Sequence, residues 1–445
     1  MVLLHVGLDD TDSARGGCTT YIGALLVERL AKVIKFIEYP LLVRLNPNIQ
    51  WKTRGNGAVC LRMEVTPSIL QMVEEEVIST VEENAEIGQP RTDPGIVFLQ
   101  GQVPLEAKSF AKNCIRDVVS KRDATKTIAK IHAEAIGYGS GRGIIGALAS
   151  VGNLLTDDHT YELLAYRKPE NRGTPRMVDS ASVFRMDEET RGRTFSNVDW
   201  ERRRVLITPR GPDPILLGIR GETAEDVKGA FRQVTIQEEV ERWVVFRTNQ
   251  GTDMHIPPDQ RVATLRPRRP TTLCGTVTNK PNDIHGGHVF FQLDAEGENV
   301  CCAAYEPSGN FRSTVRKLEV GDYLRISGGI RPCTGKRPLT VNLERLEILN
   351  LTQKVVQSNP LCPMCSKHMK SMGRNKGYRC ERCGLRETGA EQVTSTLPRE
   401  LEQGLFLPPP RAQRHLTKPL SRYGHEKVWT PSAVGSFWGL GSLVA

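Results

Sequence analysis

The stretch VLLHVGLDDTDS, from Val2 to Ser13, joins a short apolar run to three closely spaced carboxylates. An apolar run of this length that ends in turn residues predicts a buried β-strand, followed by a loop that holds Asp9, Asp10 and Asp12. Carboxylates this close repel one another unless a cation joins them, and hard oxygen ligands suit Mg²⁺ that is shared with substrate phosphates. An acidic turn closed by its own side chains explains the same residues, so both interpretations remain open.

A helix is predicted directly after this loop. Gly16 and Gly17 loosen the chain, and the helix then opens at Cys18-Thr19-Thr20 with an apolar face formed by Ile22, Leu25, Leu26, Leu30 and Val33. Thr19 and Thr20 are expected to be N-cap residues, beside backbone N–H groups that attract anions. Carboxylates, a flexible turn and a hydroxyl at a helix N-terminus together indicate phosphoryl chemistry.

The composition is typical of a soluble globular protein. Of the 445 residues, 39% are hydrophobic and 25% are charged. This length predicts roughly two to four domains. No apolar run is long enough to span a membrane and no signal-peptide pattern is visible, so we expect no membrane partner. Eleven cysteines without a secretory signal indicate a reducing compartment, and we expect a cytoplasmic protein.

Positive charge is concentrated in the last part of the chain. The net charge is +9, and the residues from Leu351 onward hold 14 lysines and arginines, six glutamates and no aspartate. A concentrated basic segment is typical of proteins that bind a polyanion such as nucleic acid. A solvated tail is the alternative.

Periodicity divides the chain into four regions, and the predicted fold class is multidomain α+β. Residues 1–150 alternate strand and helix patterns, with helices expected over 67–83, 125–135 and 144–149. Residues 151–265 fit a small α+β sandwich. Residues 266–350 begin with a Pro- and Arg-rich linker and contain five short strands, a pattern typical of an OB-type barrel or another small barrel. Residues 351–445 hold a cysteine motif and the basic segment.

The cysteine motif consists of Cys362-x-x-Cys365 and Cys380-x-x-Cys383, with fourteen residues between the two pairs. Two such pairs provide four thiolates for tetrahedral Zn²⁺ and leave no open position, so we predict a structural zinc ribbon. A redox pair or a chance spacing is the alternative. Phosphate contacts are expected from the basic residues around the motif, which are Lys367, Lys370, Arg374, Lys376, Arg379 and Arg382.

A glycine-rich run from Gly137 to Gly146 contains Gly141, Arg142 and Gly143. Glycines let backbone N–H groups approach phosphates, and Arg142 is suited to clamp one with two hydrogen bonds. The run lacks the Gly-Lys-Ser/Thr ending of a P-loop, so a hinge before a helix explains it equally well.

A basic loop of the same region carries Lys52, Arg54 and Asn56 next to two glycines. Cationic and amide groups on a flexible loop suit phosphate, and the predicted metal cluster of this region needs a phosphate ligand nearby. A polar surface hairpin is the alternative.

Polar turns in the second region and aromatic residues in the tail complete the candidate sites. Asp199, Asp213 and the turn Asn249–Asp253 have side chains suited to a cationic small molecule, although each also fits a capped turn. After the cysteine motif, basic residues alternate with aromatic ones, which suits an RNA backbone with exposed bases. A tail that packs on the zinc ribbon is the alternative.

The order of these motifs resembles one family, the archaeal tRNA-isoleucine 2-agmatinylcytidine synthetases (TiaS). The resemblance covers essentially the whole chain, and it is the combination of runs that is specific. Those runs are Gly7–Ser13, Gly17–Tyr21, Asn46–Asn48, Lys52–Asn56, Gly141–Ala147, Gly211–Pro214, Thr248–Asp253 and Arg414–Pro419.

The resemblance implies a kinase-like N-terminal domain, a ferredoxin-like domain, an OB-fold and a zinc ribbon with a basic tail. It also implies an enzyme that uses ATP to activate carbon 2 of the wobble cytidine of an isoleucine tRNA, so that agmatine replaces the carbonyl oxygen. The modified base pairs with adenosine, and the tRNA then decodes AUA. The implied cofactors are ATP, Mg²⁺ and structural Zn²⁺, and the implied partners are isoleucine tRNA and agmatine.

The resemblance also implies roles for single residues. Asp9, Asp10 and Asp12 would hold Mg²⁺ and ATP, and Thr19 would be the threonine that becomes phosphorylated, with Thr20 as the alternative. The remaining candidates for ATP binding are Thr11, Ser13, Thr20, Lys52, Arg54, Asn56, Gly141, Arg142 and Gly143. Agmatine is a dication at neutral pH and needs carboxylates, for which Asp199 and Asp213 are the candidates.

Two other functions stay open from the residues alone. One is a non-enzymatic nucleic-acid-binding protein built on the barrel and the zinc ribbon, and the other is a metal-dependent nuclease that uses the aspartate cluster. The intact Asp9, Asp10, Asp12 and Thr19 argue against the first.

Overall fold

The structure is a computed structural model that describes residues 1–52, 55–334, 338–431 and 434–443. Within these ranges the chain is a multidomain α+β protein with a large mixed sheet, a five-stranded barrel and a small domain that carries the paired cysteines. Arg54, one of the expected phosphate-binding residues, lies outside the described residues. None of the described helices has the length and apolar character needed to cross a membrane.

The first region alternates strands and helices, as the periodicity predicts. Its elements are β1 (Val2–Asp9), α1 (Thr19–Leu30), β2 (Lys35–Phe36), β3 (Leu41–Arg44), β4 (Gly57–Val65), α2 (Leu70–Asn84), β5 (Gly95–Gln100), α3 (Leu105–Arg116), α4 (Lys121–Lys130), β6 (Glu134–Gly137) and α5 (Ile144–Gly152). The second region contains β7 (Thr160–Arg167), α6 (Ser180–Glu189), β8 (Thr194–Phe195), β9 (Val198–Asp199), β10 (Arg204–Val205), β11 (Ile215–Gly221), α7 (Ala224–Gln233) and β12 (Val240–Thr248).

The opening apolar run forms β1, a central strand between β4 and β5. Leu4, Val6 and Leu8 are fully buried in the core on one face. On the other face Gly7 packs against α5 so closely that a Cβ there would lie 2.1 Å from the carbonyl oxygen of Ala147. This contact brings the start of α5 to the end of β1, where the aspartates begin.

The sheet does not stop at the end of the first region. Strand β3 pairs in parallel with β12, with Leu41 opposite Arg247, so that strands of both regions form one sheet in the order β6-β5-β1-β4-β3-β12-β7-β11-β8. Glu38 is buried at this junction and pairs with Arg62 and Arg247. The predicted α+β sandwich is therefore the continuation of the first sheet.

Two expectations about helix limits are wrong. Cys18 is the N-cap of α1 and makes no side-chain capping bond, so Thr19 and Thr20 are the first two helical residues instead of caps. Val33 lies beyond the end of α1 and is exposed.

The helix expected over 125–135 instead occupies 121–130, because Ser120 and Asp123 form a capping box that starts it earlier. The residues beyond it do not continue the helix, and His132 has a positive φ.

The third region forms a closed barrel. Its elements are β13 (Pro270–Val277), β14 (Asn282–Ile284), β15 (His288–Ala295), β16 (Glu298–Ala304), α8 (Asn310–Arg316), β17 (Tyr323–Arg331) and β18 (Thr340–Asn350). The ring runs β13-β17-β18-β16-β15 and is closed by pairing of β13 with β15. Apolar side chains such as Leu273, Phe291 and Val341 fill its interior.

The last region leaves the barrel and then returns to the large sheet. Its strands are β19 (Lys354–Ser358), β20 (Lys370–Ser371), β21 (Tyr378–Arg379), β22 (Arg386–Glu387), β23 (Val393–Leu397), β24 (Gly404–Phe406) and β25 (Trp438–Leu440). Strands β19 and β23 pair at the base of the cysteine domain, β24 adds to the barrel and β25 pairs with β12. Leu416 is buried in the core of the first region. The tail therefore packs on the sheet and the barrel, and the alternative that it packs on the ribbon is wrong.

Candidate active site

A cleft of about 750 Å³ opens where β1, α1 and α5 meet. Seven of the residues singled out in the sequence line it, which are Asp9, Asp10, Asp12, Thr19, Lys52, Asn56 and Arg142. The cleft has an apolar end as well, formed by Leu45, Ile49, Trp51, Val118, Val119 and Ile145.

Asp9 lies at the base of the cleft, against the backbone of α5. A Cβ at Gly146 would lie 1.9 Å from Asp9 Oδ2, so only glycine leaves room for this carboxylate. Burial, together with the charges of Asp10 and Asp12, raises the pKa of Asp9 well above its ordinary value. Ionised carboxylates at this position are therefore unfavourable without a cation.

Asp10 occupies the left-handed region, with φ of 57°, which turns its side chain toward Arg142. Its Oδ2 lies 3.5 Å from Arg142 Nη2. Burial raises the pKa of Asp10 to about 7, although the charge of Arg142 opposes this rise.

The three aspartates are not gathered as a complete metal cage. Among the described residues, only the four paired cysteines bring three or more ligand atoms within 4.8 Å of one another. Mg²⁺ is commonly held by one or two carboxylates and completed by phosphates and water, so the partial donor set of Asp9 and Asp10 fits that ion.

Asp12 accepts two hydrogen bonds from Thr19. The Thr19 backbone N–H donates to Asp12 Oδ1 at 2.9 Å, and the Thr19 hydroxyl donates to the same oxygen at 3.3 Å. Thr11 in turn donates its hydroxyl proton to Thr19 Oγ1 at 3.0 Å. The Thr20 hydroxyl lies 3.2 Å from Cys18 Sγ, and Thr20 is not among the residues that line the cleft.

Arg142 is held in the cleft by the glycine-rich run, whereas Gly141 and Gly143 are not among the residues that line the cleft. The Gly141 N–H donates to Tyr138 O at 2.8 Å, and the Gly143 N–H donates to Asp93 O at 3.1 Å. Gly143 is required because a Cβ there would lie 2.4 Å from the Asp93 carbonyl oxygen. The expected phosphate contacts of these two N–H groups therefore have no support, whereas Arg142 donates to Trp51 O at 2.7 Å and borders the cleft.

The basic loop supplies Lys52 to the cleft. Its ammonium group donates to the carbonyl oxygen of Pro47, and burial lowers the pKa of Lys52 to about 8, with a further contribution from Arg414. Asn56 lines the cleft, but its amide donates to Asn46 O at 2.8 Å and so stabilises the loop.

Ser13 stabilises the aspartate loop from outside the cleft. Its Oγ accepts the backbone N–H groups of Arg15, Gly16 and Gly17, and its hydroxyl donates to Glu86. These bonds give Ser13 a structural place, and it is not among the residues that line the cleft.

Asp199 and Asp213 lie outside this cleft and are buried against arginines. Asp199 Oδ2 accepts from Arg411 Nη1 at 2.5 Å, and Asp213 Oδ1 accepts from Arg176 Nη2 at 3.3 Å. The Asp213 loop borders the aspartate loop, since a Cβ at Gly16 would lie 3.2 Å from the carbonyl oxygen of Pro212.

The four predicted zinc ligands converge. Cys362 Sγ lies 3.5 Å from Cys383 Sγ, and Cys365 Sγ lies 3.3 Å from Cys380 Sγ. Four thiolates within 4.8 Å of one another fit a tetrahedral zinc site, which the spacing predicts.

Sequence reasoning missed several residues of the cleft. Trp51, Cys114 and Asp117 line it, and Gly146 shapes its floor. Gly146 belongs to the glycine-rich run and Trp51 precedes the basic loop. Their position within or beside a predicted motif is the sequence feature that could have identified them as cleft residues. Cys114 and Asp117 come from the end of α3, which no local motif connects to the aspartates.

Three family models match the chain in succession. The TiaS TCKD domain matches residues 5–140, the TiaS FLD domain matches residues 141–255, and the TiaS C-terminal zinc ribbon domain matches residues 359–401. The chain belongs to the TiaS family. The first two models meet between residues 140 and 141, just before Arg142 and α5, so the residues that line the cleft fall under both models.

Relatives of known activity match over almost their whole length. The isoleucine-tRNA 2-agmatinylcytidine synthetase TiaS of Methanosarcina mazei is 43% identical, over 94% of this chain and 97% of its own length. A solved complex of TiaS with its isoleucine tRNA and ATP superposes with a TM-score of 0.86 at 39% identity, over 98% of this chain and 100% of that one. A complex of TiaS with the same tRNA, AMPCPP and agmatine gives 0.84 at 38%, with the same coverage.

Proposed function

We propose that this chain is a 2-agmatinylcytidine synthetase, an ATP-dependent ligase that joins agmatine to carbon 2 of the wobble cytidine of an isoleucine tRNA. The observation that carries this proposal is TiaS family membership over nearly the full length, combined with a cleft that is lined by Asp9, Asp10, Asp12 and Thr19. Its partners are accordingly this isoleucine tRNA, ATP and agmatine, and the product decodes AUA. This activity also suits the cytoplasmic location that we infer.

The cleft is suited to activating a poor leaving group. The carbonyl oxygen of cytosine leaves only after phosphorylation, and an amine can then attack carbon 2. Charge that develops on the transferred phosphoryl group requires cationic partners, and Arg142 and Lys52 are the described cations that line the cleft. Asp9 and Asp10 would hold Mg²⁺, which would neutralise the remaining phosphate charge.

Thr19 is the hydroxyl that we assign as the site of phosphorylation. Its hydroxyl already donates to Asp12, so Asp12 is placed to accept the proton as Thr19 Oγ1 bonds to a phosphorus of ATP, while the bridging P–O bond of that phosphorus breaks and the rest of the nucleotide leaves. The Thr11 hydroxyl donates to Thr19 Oγ1 and orients the Thr19 side chain. Thr20 is directed toward Cys18 instead, which favours Thr19 over its neighbour.

Agmatine needs carboxylates, and Asp213 is better placed than Asp199. The loop of Asp213 touches the aspartate loop at Gly16, next to a second cavity of about 680 Å³ that Tyr21, Glu86 and Arg172 help to line. Both carboxylates pair with an arginine, Asp199 with Arg411 and Asp213 with Arg176, so only the position of the Asp213 loop separates them. Asp213→Asn should therefore raise the KM for agmatine and leave ATP affinity unchanged.

We base the assignment of the individual domains on family membership as well. We assign residues 1–150 to a kinase-like ATP-binding domain, 151–265 to a ferredoxin-like domain, 266–350 to an OB-fold, and 351–445 to the zinc ribbon and tail. The closed five-stranded ring and the thiolate cluster support the last two assignments. The continuous sheet supports a rigid junction between the first two.

Mass spectrometry of the isoleucine tRNA after incubation with protein, ATP and agmatine tests the function. A mass gain at the wobble cytidine is expected. Strand cleavage would identify a nuclease, and binding without modification would identify a nucleic-acid-binding module. Asp10→Ala is the matched control, because it should abolish ATP turnover and leave tRNA affinity near that of the wild type.

A further inference from the structure

A group of cations surrounds His415 next to the cleft. Arg44 at the end of β3, Arg220 in β11, Lys52 and Arg414 all lie close enough to act on its imidazole. Their charges, with Arg44 first, and the surrounding protein lower the pKa of His415 well below its ordinary value. His415 is nevertheless exposed to solvent, so these cations act on a side chain at the protein surface.

Three segments distant in sequence converge at this point. Arg220 Nη2 lies 3.3 Å and Gln250 Oε1 lies 3.0 Å from His415 Nδ1. From the other side, a Cβ at Gly55 would lie 2.6 Å from Arg44 Nη1 and 2.8 Å from His415 Nε2. The basic loop of the cleft therefore rests on Arg44 and on the returning tail.

The described contacts place two carboxylates on these four cations. Glu162 lies 3.5 Å from Arg44 Nη2 and 3.0 Å from Arg220 Nε. Glu344 lies 3.6 Å from Arg414 Nε and also contacts His255 at 3.0 Å. Arg44 Nε is buried without a hydrogen-bond partner. Positive charge that is closely packed and incompletely paired is costly unless an anion binds there.

We infer that Arg44, Arg220, Arg414 and His415 form a binding site for a phosphate group beside the nucleotide cleft. Guanidinium groups match phosphate oxygens with paired hydrogen bonds. Arg44 and Arg220 share Glu162 beside His415, and the charge of Arg414 acts on the same imidazole. Either a phosphodiester of the bound tRNA or free pyrophosphate has this chemistry. The choice between these two sources rests on the proposed function, whereas the site itself rests on the geometry.

Two binding measurements on the full-length, zinc-loaded protein distinguish the sources. The first is calorimetric titration with pyrophosphate without divalent cations, so that the three aspartates repel it from the cleft. The second is filter binding of the isoleucine tRNA over a range of salt concentrations. Arg414→Gln and Arg220→Gln are the test variants. Arg29→Gln is the control, since Arg29 pairs with Glu76 and Glu83 on the surface of α1 and α2.

If the site takes free phosphate, both test variants weaken pyrophosphate binding by about tenfold or more, and the control does not. If it takes the tRNA backbone, they lower tRNA affinity and reduce the salt slope by about one, with pyrophosphate binding unchanged. Unchanged binding of both probes overturns the site. Arg220→Gln alone suffices if Arg414→Gln does not fold. A wild-type chain that makes no agmatinylcytidine would refute the function and leave this test intact.

Discussion

Gly146→Ala separates the geometry of the cleft from the stability of the fold. Gly146 lies inside α5, where alanine normally stabilises a helix by about 0.5–1 kcal/mol relative to glycine. At this position, however, the new Cβ would lie 1.9 Å from Asp9 Oδ2. Asp9 Cγ and Cβ would lie 2.5 and 3.0 Å from it, so the carboxylate must rotate away and β1 or α5 must shift by a few tenths of an ångström.

The size of the effect follows from that distance. Ordinary contact begins at 3.4 Å, so Asp9 Oδ2 must move by at least 1.5 Å. Misplacement of a reacting group by about 1 Å costs on the order of 100-fold in rate. We therefore expect agmatine incorporation, followed by mass spectrometry of the tRNA, to fall by about 100-fold or more while the thermal unfolding temperature changes by a few degrees at most.

Gly229→Ala is the matched control for this variant. Gly229 lies in α7, and a Cβ there meets nothing within 4 Å, so the same substitution should stabilise the protein slightly and leave the rate unchanged. If Gly146→Ala retained activity within about threefold of the wild type, the position of Asp9 would not matter for the reaction, and its assignment to the catalytic cleft would be refuted.

Three other predictions concern the threonines, the cleft lysine and the zinc ribbon. Thr19→Ala should abolish phosphorylation of the protein by ATP and Thr20→Ala should retain it, and phosphopeptide mass spectrometry distinguishes the two. Because the pKa of Lys52 is about 8, its positive charge is lost as pH rises through that value, and ATP affinity measured by titration calorimetry should weaken. Lys52→Arg should flatten this dependence, and a flat wild-type profile would remove Lys52 from the site. Removal of zinc by a chelator should make residues 359–401 sensitive to protease, and resistance there would contradict a structural metal site.

Local patterns in the sequence were sufficient for individual elements and for the zinc site. The apolar run of β1, the apolar face of α1 as far as Leu30 and the two cysteine pairs depend on residues close together in the chain, and the structure confirms each of them. The pairing of Leu41 in β3 with Arg247 in β12 joins residues far apart in sequence, and no periodicity encodes it. Asp117 reaches the cleft for the same reason, through packing of α3 beside α5.

The basic tail shows why segment charge overstates the surface that can meet RNA. Arg422 is buried, where it pairs with Asp158 and Glu222, and Arg411 pairs with Asp199 and Glu201. These guanidinium groups connect the tail to the large sheet. If they bound phosphate instead, the buried carboxylates would lose their cationic partners, so these arginines are not available to neutralise phosphates. The basic residues of the cysteine domain are exposed by contrast: Lys367, Lys370, Arg374, Lys376, Arg379, Arg382 and Arg386. The positive charge that the sequence places on residues 351–445 as a whole is therefore most accessible on the zinc ribbon, and within the tail a partly exposed cation such as Arg414 is better placed to meet phosphate than Arg411 or Arg422.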